Sequence, residues 1–256
     1  MKTSFKMLAG AAAVALSFGA QALVIDNFAT PQAIVIDNSV NATGAFGSQN
    51  GAGIIGGQRD LFVIETNSPT DNPSTGVSLD VFAGELGFSS GTGQAGVGII
   101  RWDGMNTSFG AVGANADATL QNAIGSINAT GLGSQNFAGS GIGFIIDVIS
   151  ADLGFNFALE AYTDAGNFST FSTTALGPGS FFIPFAAFLP KTGAGASFAN
   201  IGALQALINY PGAARVDVDL RVRLAQVQIP EPTSLALVGL ALLGLGAVGA
   251  KRRASK

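Results

Sequence analysis

The amino-acid sequence predicts an all-β chain whose exported part folds as an antiparallel β-sandwich of the jelly-roll kind, and three observations carry that expectation. From Arg215 to Leu224 every even position is apolar and every odd one charged. That period of two belongs to a half-buried strand. Further short segments rich in β-branched and aromatic residues recur between clusters of Gly, Pro, Asn and Ser. Between the two ends of the chain no stretch sustains a helical period, so the layers must be sheets.

In chain order the expected strands are Leu23–Phe28, Ala33–Asp37, Arg59–Thr66, Gly76–Phe82, Glu85–Ser89, Gly96–Trp102, Gly141–Ile149, Asn156–Thr163, Phe168–Thr174, Ser180–Phe185 and Ala203–Asn209, followed by the alternating segment. Two sheets that bury alternate residues against each other account for so many short strands without helices. A solenoid would need a fixed repeat of roughly 20 to 30 residues, and none is present. Glycine, at 36 of 256 residues, is about twice as common as usual, which fits many tight turns. The 48% hydrophobic content and nineteen Phe supply a core that a disordered chain lacks.

Residues 1–22 read as a secretory signal: Lys2 and Lys6, an apolar stretch from Met7 to Phe18, then Ala20-Gln21-Ala22, the small-x-small form that signal peptidase cuts. Cleavage after Ala22 leaves an ectodomain, residues 23–229, that begins at Leu23. Those residues hold fifteen Asp and Glu against six Lys and Arg, a net charge of −9, which argues against a nucleic-acid partner. The chain has no Cys and no His, so disulfides, thiolate chemistry and the triads built on histidine are all excluded.

The last segment, residues 230–256, places three elements in order. Pro230-Glu231-Pro232 comes first, an uncharged run covers 233–250, and Lys251, Arg252 and Arg253 open a basic tail over 251–256. Eighteen residues of helix reach about 27 Å, close to the hydrocarbon thickness of a bilayer. The basic cluster sets the tail on the cytoplasmic side, with the ectodomain exported. Two prolines around Glu231 disfavour helix and hold the chain extended, the form a protease needs.

These three elements resemble the PEP-CTERM sorting signal. The resemblance implies recognition of Pro230-Glu231-Pro232 by an exosortase, transient anchoring in the inner membrane of a Gram-negative bacterium, and cleavage near the tripeptide. Delivery to the cell surface or the extracellular matrix then follows. A second resemblance rests on Ile25-Asp26-Asn27-Phe28, Arg59-Asp60-Leu61, Ile100-Arg101-Trp102-Asp103-Gly104, Phe182-Ile183-Pro184-Phe185 and Phe198-Ala199-Asn200-Ile201-Gly202-Ala203. Together these are similar to galactose-binding-like jelly rolls of carbohydrate-binding modules, which implies that fold and a ligand, and the domain is expected to associate with exopolysaccharide or with other surface proteins.

Candidate ligand residues are few. Trp102 with Asp103, and Tyr162 with Asp164, could stack on and hydrogen-bond a sugar, although a lone Trp more often fills a core. Asp103, Asp147, Asp152 and Asp164 could supply oxygen ligands to calcium; no other cofactor is indicated, and no EF-hand loop is present. Gly91-Thr92-Gly93-Gln94-Ala95-Gly96 spells a dinucleotide fingerprint but precedes a strand, so it reads as a hairpin turn. Gly87-Phe88-Ser89-Ser90-Gly91 spells a nucleophile elbow with no histidine to serve it. Glu65, Glu85 and Glu160 are the only glutamates of the ectodomain, and nothing in their spacing selects a glycosidase pair. No catalytic residue is therefore assigned. The sequence reads as a non-enzymatic surface or matrix protein, with a carbohydrate-active enzyme or a purely structural coat protein as the alternatives.

Overall fold

The computed structural model describes residues 22–38, 43–67, 75–106, 109–152, 154–174 and 177–228. The expectations placed on Ala20, on the tripeptide and on the span and basic tail fall outside the described residues. Leu23 to Gln228 form one compact unit. Its first strands are β1 (Val24–Asp26), β2 (Gln32–Asp37), β3 (Ala45–Asn50), β4 (Gln58–Asn67), β5 (Val77–Phe82), β6 (Glu85–Ser90) and β7 (Ala95–Trp102). After helix α1 (Ala116–Gly125) and the single turn α2 (Phe137–Ser140) come β8 (Gly143–Ala151), β9 (Asn156–Asp164), β10 (Asn167–Thr174), β11 (Gly179–Pro184), β12 (Leu189–Thr192), β13 (Ala203–Ile208) and β14 (Asp219–Gln228).

These strands build two seven-stranded antiparallel sheets. The first runs β11-β8-β14-β6-β5-β2, with β1 beside the C-terminal half of β14. The second runs β12-β10-β9-β13-β7-β4-β3. The chain passes from one sheet to the other between β2 and β3, β4 and β5, and at every step from β6 to β9, as in a jelly roll. The expected fold class is what the structure shows.

The two sheets differ in what covers them, and the sequence pattern follows that difference. The first has one wet face, so β14 and the residue before it alternate, with Val218, Leu220 and Val222 buried and Asp219, Arg221 and Arg223 exposed. The strand begins at Asp219 instead of Arg215, because Asp217 takes a positive φ of 56°. The second sheet is covered twice. Leu61, Val63, Ile100, Leu204 and Ala206 face the first sheet, while Phe62, Ile99 and Leu207 pack on Phe109 and on Leu120, Ala123 and Ile124 of α1. Accordingly every residue of β7 and of β13 is buried, and neither strand alternates.

Helix α1 corrects the expectation that no helix interrupts the strands. Asn115 caps it, its side chain accepting a hydrogen bond from the Ala118 amide, and Leu120, Ala123 and Ile124 fall at i, i+3 and i+4. In ten residues that also hold three Ala and single Asp, Thr, Gln, Asn and Gly residues, this short stripe does not stand out. Strands β3 and β12 are also additions; both lie at sheet edges, and β12 is exposed throughout, so neither carries a burial pattern. Gly91–Gly96 is not a hairpin: it joins β6 of the first sheet to β7 of the second.

One buried polar group binds the sheets together. Asp26 of β1 and Arg59 of β4 are fully buried and form an ion pair of 2.8 Å. Arg59 also donates to Gln32 Oε1 and to the Thr30 carbonyl, and lies over the Phe28 ring. Trp102 sits within the core and donates its Nε1–H to Asp26 Oδ2 at 3.1 Å. Removing one partner strands a buried charge, which costs about 3–5 kcal/mol. Asp26→Ala is expected to lower stability by that amount in denaturant titration; a change under about 1 kcal/mol would show that water reaches Arg59.

Candidate functional site

The opposite face of the second sheet holds a row of polar side chains set by register. Ser48 pairs with Asp60, Asp60 with Arg101, Arg101 with Gln205, Gln205 with Glu160, and Glu160 with Thr170. Directly opposed residues of antiparallel strands share a face, so six strands contribute one rung each. Asp60, Arg101, Gln205 and Glu160 are all at most 2% exposed, because α1 and the segment after it lie over them.

Arg101 is the centre of the row. Its Nε and Nη2 donate to Gln205 Oε1 at 3.0 and 2.7 Å, Nη1 donates to Ser126 Oγ, and Nη2 donates to the Ala123 carbonyl. The guanidinium lies 4.4 Å from the Phe109 ring centre. A cation at the last turn of a helix answers the partial negative charge of its free carbonyls, so Arg101 fastens the C-terminal end of α1 to the sheet. Gln205 passes the chain on by donating Nε2–H to Glu160 Oε2 at 3.1 Å. Glu160 also accepts from the Tyr162 hydroxyl at 2.6 Å and from Lys191 Nζ at 3.1 Å. With an acceptor and three donors matched, this carboxylate is a brace.

Beside Arg101 lie two further carboxyls. Asp103 Oδ2 accepts from Asn106 Nδ2 at 2.9 Å and from the Asn128 amide at 2.8 Å, and is 4.0 Å from Arg101 Nε. Burial pushes the Asp60 carboxyl up to about 6, with the neighbouring Asp103 adding to the rise and Ser48 and Arg101 opposing it. Asp103 is raised as well, again chiefly by burial. Burial lowers Arg101, and burial together with Glu160 raises the Tyr162 hydroxyl. Gly131 lets its chain lie against Asp103, since a Cβ there would come within 1.8 Å of the Asp103 carbonyl oxygen.

The structure separates most of the residues singled out from the sequence. Trp102 points between the sheets, and Asp103 and Tyr162 are covered on the outer face, so none of the three presents itself to solvent. Asp164 closes the β9–β10 turn, accepting from the Gly166 amide and from Asn167 Nδ2. Asp147, on β8, accepts from the Ser180 hydroxyl, and Asp152 accepts from the Asp219 amide at 3.1 Å. Asp147 and Asp152 therefore belong to the first sheet, Asp103 and Asp164 to the second. Among the described residues no three carboxylates gather into a metal-binding group. The row itself escaped sequence reading because register, not spacing, assembles it. The one available signal was a charged residue inside each of two apolar runs, at Arg59-Asp60 and at Arg101.

The geometry thus defines a closed β-sandwich whose last strand ends two residues before Pro230. Residues 228–253 match the PEP-CTERM protein-sorting motif, so the chain carries a sorting signal of that family at its C-terminus. No curated protein matches the sequence. Among solved structures the chain is similar to the family 11 carbohydrate-binding module of the cellulosomal cellulase Lic26A-Cel5E of Clostridium thermocellum, at 11% identity and a TM-score of 0.35, covering 83% of this chain and 98% of that one. A family 11 carbohydrate-binding module from Clostridium thermocellum in complex with a β-1,3-1,4-mixed-linked tetrasaccharide gives 12% identity and a TM-score of 0.29, over 79% of this chain and 99% of that one.

Arg101→Met is expected to cost about 3–5 kcal/mol in denaturant titration, since Asp103 and Asp60 lose their buried counter-charge. Lys191→Ala should cost less than about 1 kcal/mol, because the lysine side chain is 49% exposed and water replaces it. Equal losses for the two variants would mean that the row is not anchored at Arg101.

Proposed function

We propose that this is an exported, non-catalytic surface or matrix protein whose β-sandwich is the cargo and whose C-terminal segment is the address read and cut by an exosortase. The observation that carries the reading is where the sandwich stops. The sorting motif begins at Gln228, the last residue of β14, and the Gln228 carbonyl still accepts from the Ile142 amide. At the other end the Leu23 carbonyl accepts from the Val227 amide at 2.8 Å. Both ends of residues 23–228 are thus fastened inside the fold, and a cut beyond them removes none of the described strands.

The placement of the glutamates supports a non-catalytic role. Glu65 is buried at the end of β4, its backbone amide donating to Asp37; Glu85 opens β6; Glu160 is enclosed by Tyr162, Gln205 and Lys191. A glycosidase needs two carboxyls roughly 5 to 10 Å apart across an open cleft. Association with exopolysaccharide or with other surface proteins would use side chains that reach solvent. Phe82, Phe46 and Phe182 do so, at 70%, 60% and 44% exposure.

Intact mass of the protein recovered from the outer fraction of the cells tests the sorting step. The expected mass lacks everything beyond the Pro-Glu-Pro region, and Glu231→Ala should leave the full tail in the membrane fraction. Normal release of that variant would remove the tripeptide from the sorting step. In sedimentation with the cell's own exopolysaccharide, the triple variant of Phe46, Phe82 and Phe182 to Ala is expected to lose co-sedimentation. Unchanged co-sedimentation would place the contact elsewhere.

A further inference from the structure

The wet face of the first sheet holds a hollow of its own. Asp80 of β5, Gly87 of β6 and Arg221 of β14 stand on one rung, and Ser150 of β8 continues it. Directly opposed residues of antiparallel strands share a face, so the four positions line up across the sheet. Together with Ser89, two residues along β6, they line a hollow of about 290 Å³. Small-ligand sites begin near that size, at roughly 300 Å³.

Gly87 shapes the hollow. A glycine inside a strand weakens it, and it marks a place where another group approaches the backbone closely. A Cβ at position 87 would lie 2.6 Å from Asp80 Oδ1 and 3.3 Å from Arg221 Nη1, so the two heads lean in over the glycine from opposite sides. They do not meet. Among the described residues neither Asp80 nor Arg221 makes an ion pair or a hydrogen bond, and the hydroxyls of Ser89 and Ser150 make none either. The string Gly87-Phe88-Ser89-Ser90-Gly91, an elbow without its histidine, thus supplies a floor and a hydroxyl to an open site.

The charges narrow what fits. A carboxylate or phosphate drawn to Arg221 is repelled by Asp80, and a cation drawn to Asp80 is repelled by Arg221. The net charge of −9 on residues 23–229 disfavours polyanions further. A hydroxyl both donates and accepts, so two neighbouring hydroxyls of one sugar ring can donate to the carboxylate and accept from the guanidinium at once. Phe82 lies two residues from Asp80 on the same face of β5 and is 70% exposed, offering a flat apolar ring beside the polar pair.

We infer that the hollow over Gly87 binds an uncharged hexopyranose unit of a polysaccharide, with Asp80 accepting from one ring hydroxyl, Arg221 donating to its neighbour and Phe82 packing against the ring. The inference rests on the proposed association with polysaccharide and gives that association a place and a chemical class.

The test titrates the full chain, in a non-glycosidic detergent, with cellohexaose, laminarihexaose and maltohexaose as neutral probes and with hexagalacturonate as the charged one, read by calorimetry. At least one neutral probe is expected to bind. Asp80→Ala and Arg221→Ala should each weaken that binding about tenfold or more. Gly87→Ala should weaken it as well, because the added methyl displaces the Asp80 carboxyl. Denaturant midpoints report that the three variants keep the fold. Tighter binding of hexagalacturonate than of every neutral probe would overturn the inference. Where none of the hexasaccharides binds, co-sedimentation with the cell's own exopolysaccharide decides on the same variants, and its loss in Arg221→Ala supports the site. Equal co-sedimentation of wild type and all three variants would overturn the site and leave the association standing, whereas none by the wild type would overturn the association itself.

Discussion

Strands with no wet face admit no unpaired charge, and this constraint governs the middle of the second sheet. There the strands are covered on one side by the first sheet and on the other by α1 and its flanking segments. They nonetheless carry two arginines on neighbouring rungs. Arg59 shares Asp26 with Trp102 on the inner face, and Asp60 stands opposite Arg101 on the outer one. Each arginine has therefore drawn in a distant piece of chain. Arg59 fixes β1 through Asp26, and Arg101 fixes α1 through the Ala123 carbonyl. A buried ion pair contributes little over an apolar pair of the same volume, but breaking it is costly, so such pairs specify where a segment docks.

How much of this was legible depended on whether a strand has one covered face or two. The wet face of the first sheet wrote its alternation into Val218 to Arg223, and that part of the fold was readable. Strands β7 and β13, buried on both sides, read only as apolar runs, so their neighbours could not be inferred. Helix α1 was missed for a related reason. Its apolar stripe is three residues wide because it needs to cover only Phe62, Ile99 and Leu207. The motifs Ile25-Asp26-Asn27-Phe28, Arg59-Asp60-Leu61 and Ile100-Arg101-Trp102-Asp103 were visible as short strings. Their meaning is spatial: they converge on two polar clusters back to back across one sheet. No spacing rule connects Asp26 to Arg59 or Arg101 to Gln205; only register does.

The way the domain ends bears on sorting. Strand β14 lies inside the first sheet, held by β8 along one edge and by β6 and then β1 along the other. A strand in that position contributes to the core along its length, as Val227 does with full burial. Because the pairing with β1 reaches Leu23, the first residue of the expected exported chain, the sandwich uses nearly all of the sequence between the two terminal signals. Among the described residues every strand lies between Val24 and Gln228, so the tripeptide comes after the last of them.

The polar row then raises a physical question, since apolar residues would cover the same face at lower electrostatic cost. Phe62, Ile99 and Leu207 do so under the N-terminal part of the same cover. An apolar contact of that kind holds at every pH, because nothing in it titrates. The polar row instead fixes where the cover docks, because Arg101 must meet both Gln205 of β13 and the Ala123 carbonyl at the end of α1. Glu160, one strand beyond Gln205, is held by Lys191, Tyr162 and Gln205. One end of the row thus fastens a helix to the sheet and the other braces neighbouring strands, and in both the partner of each charge is brought in by register.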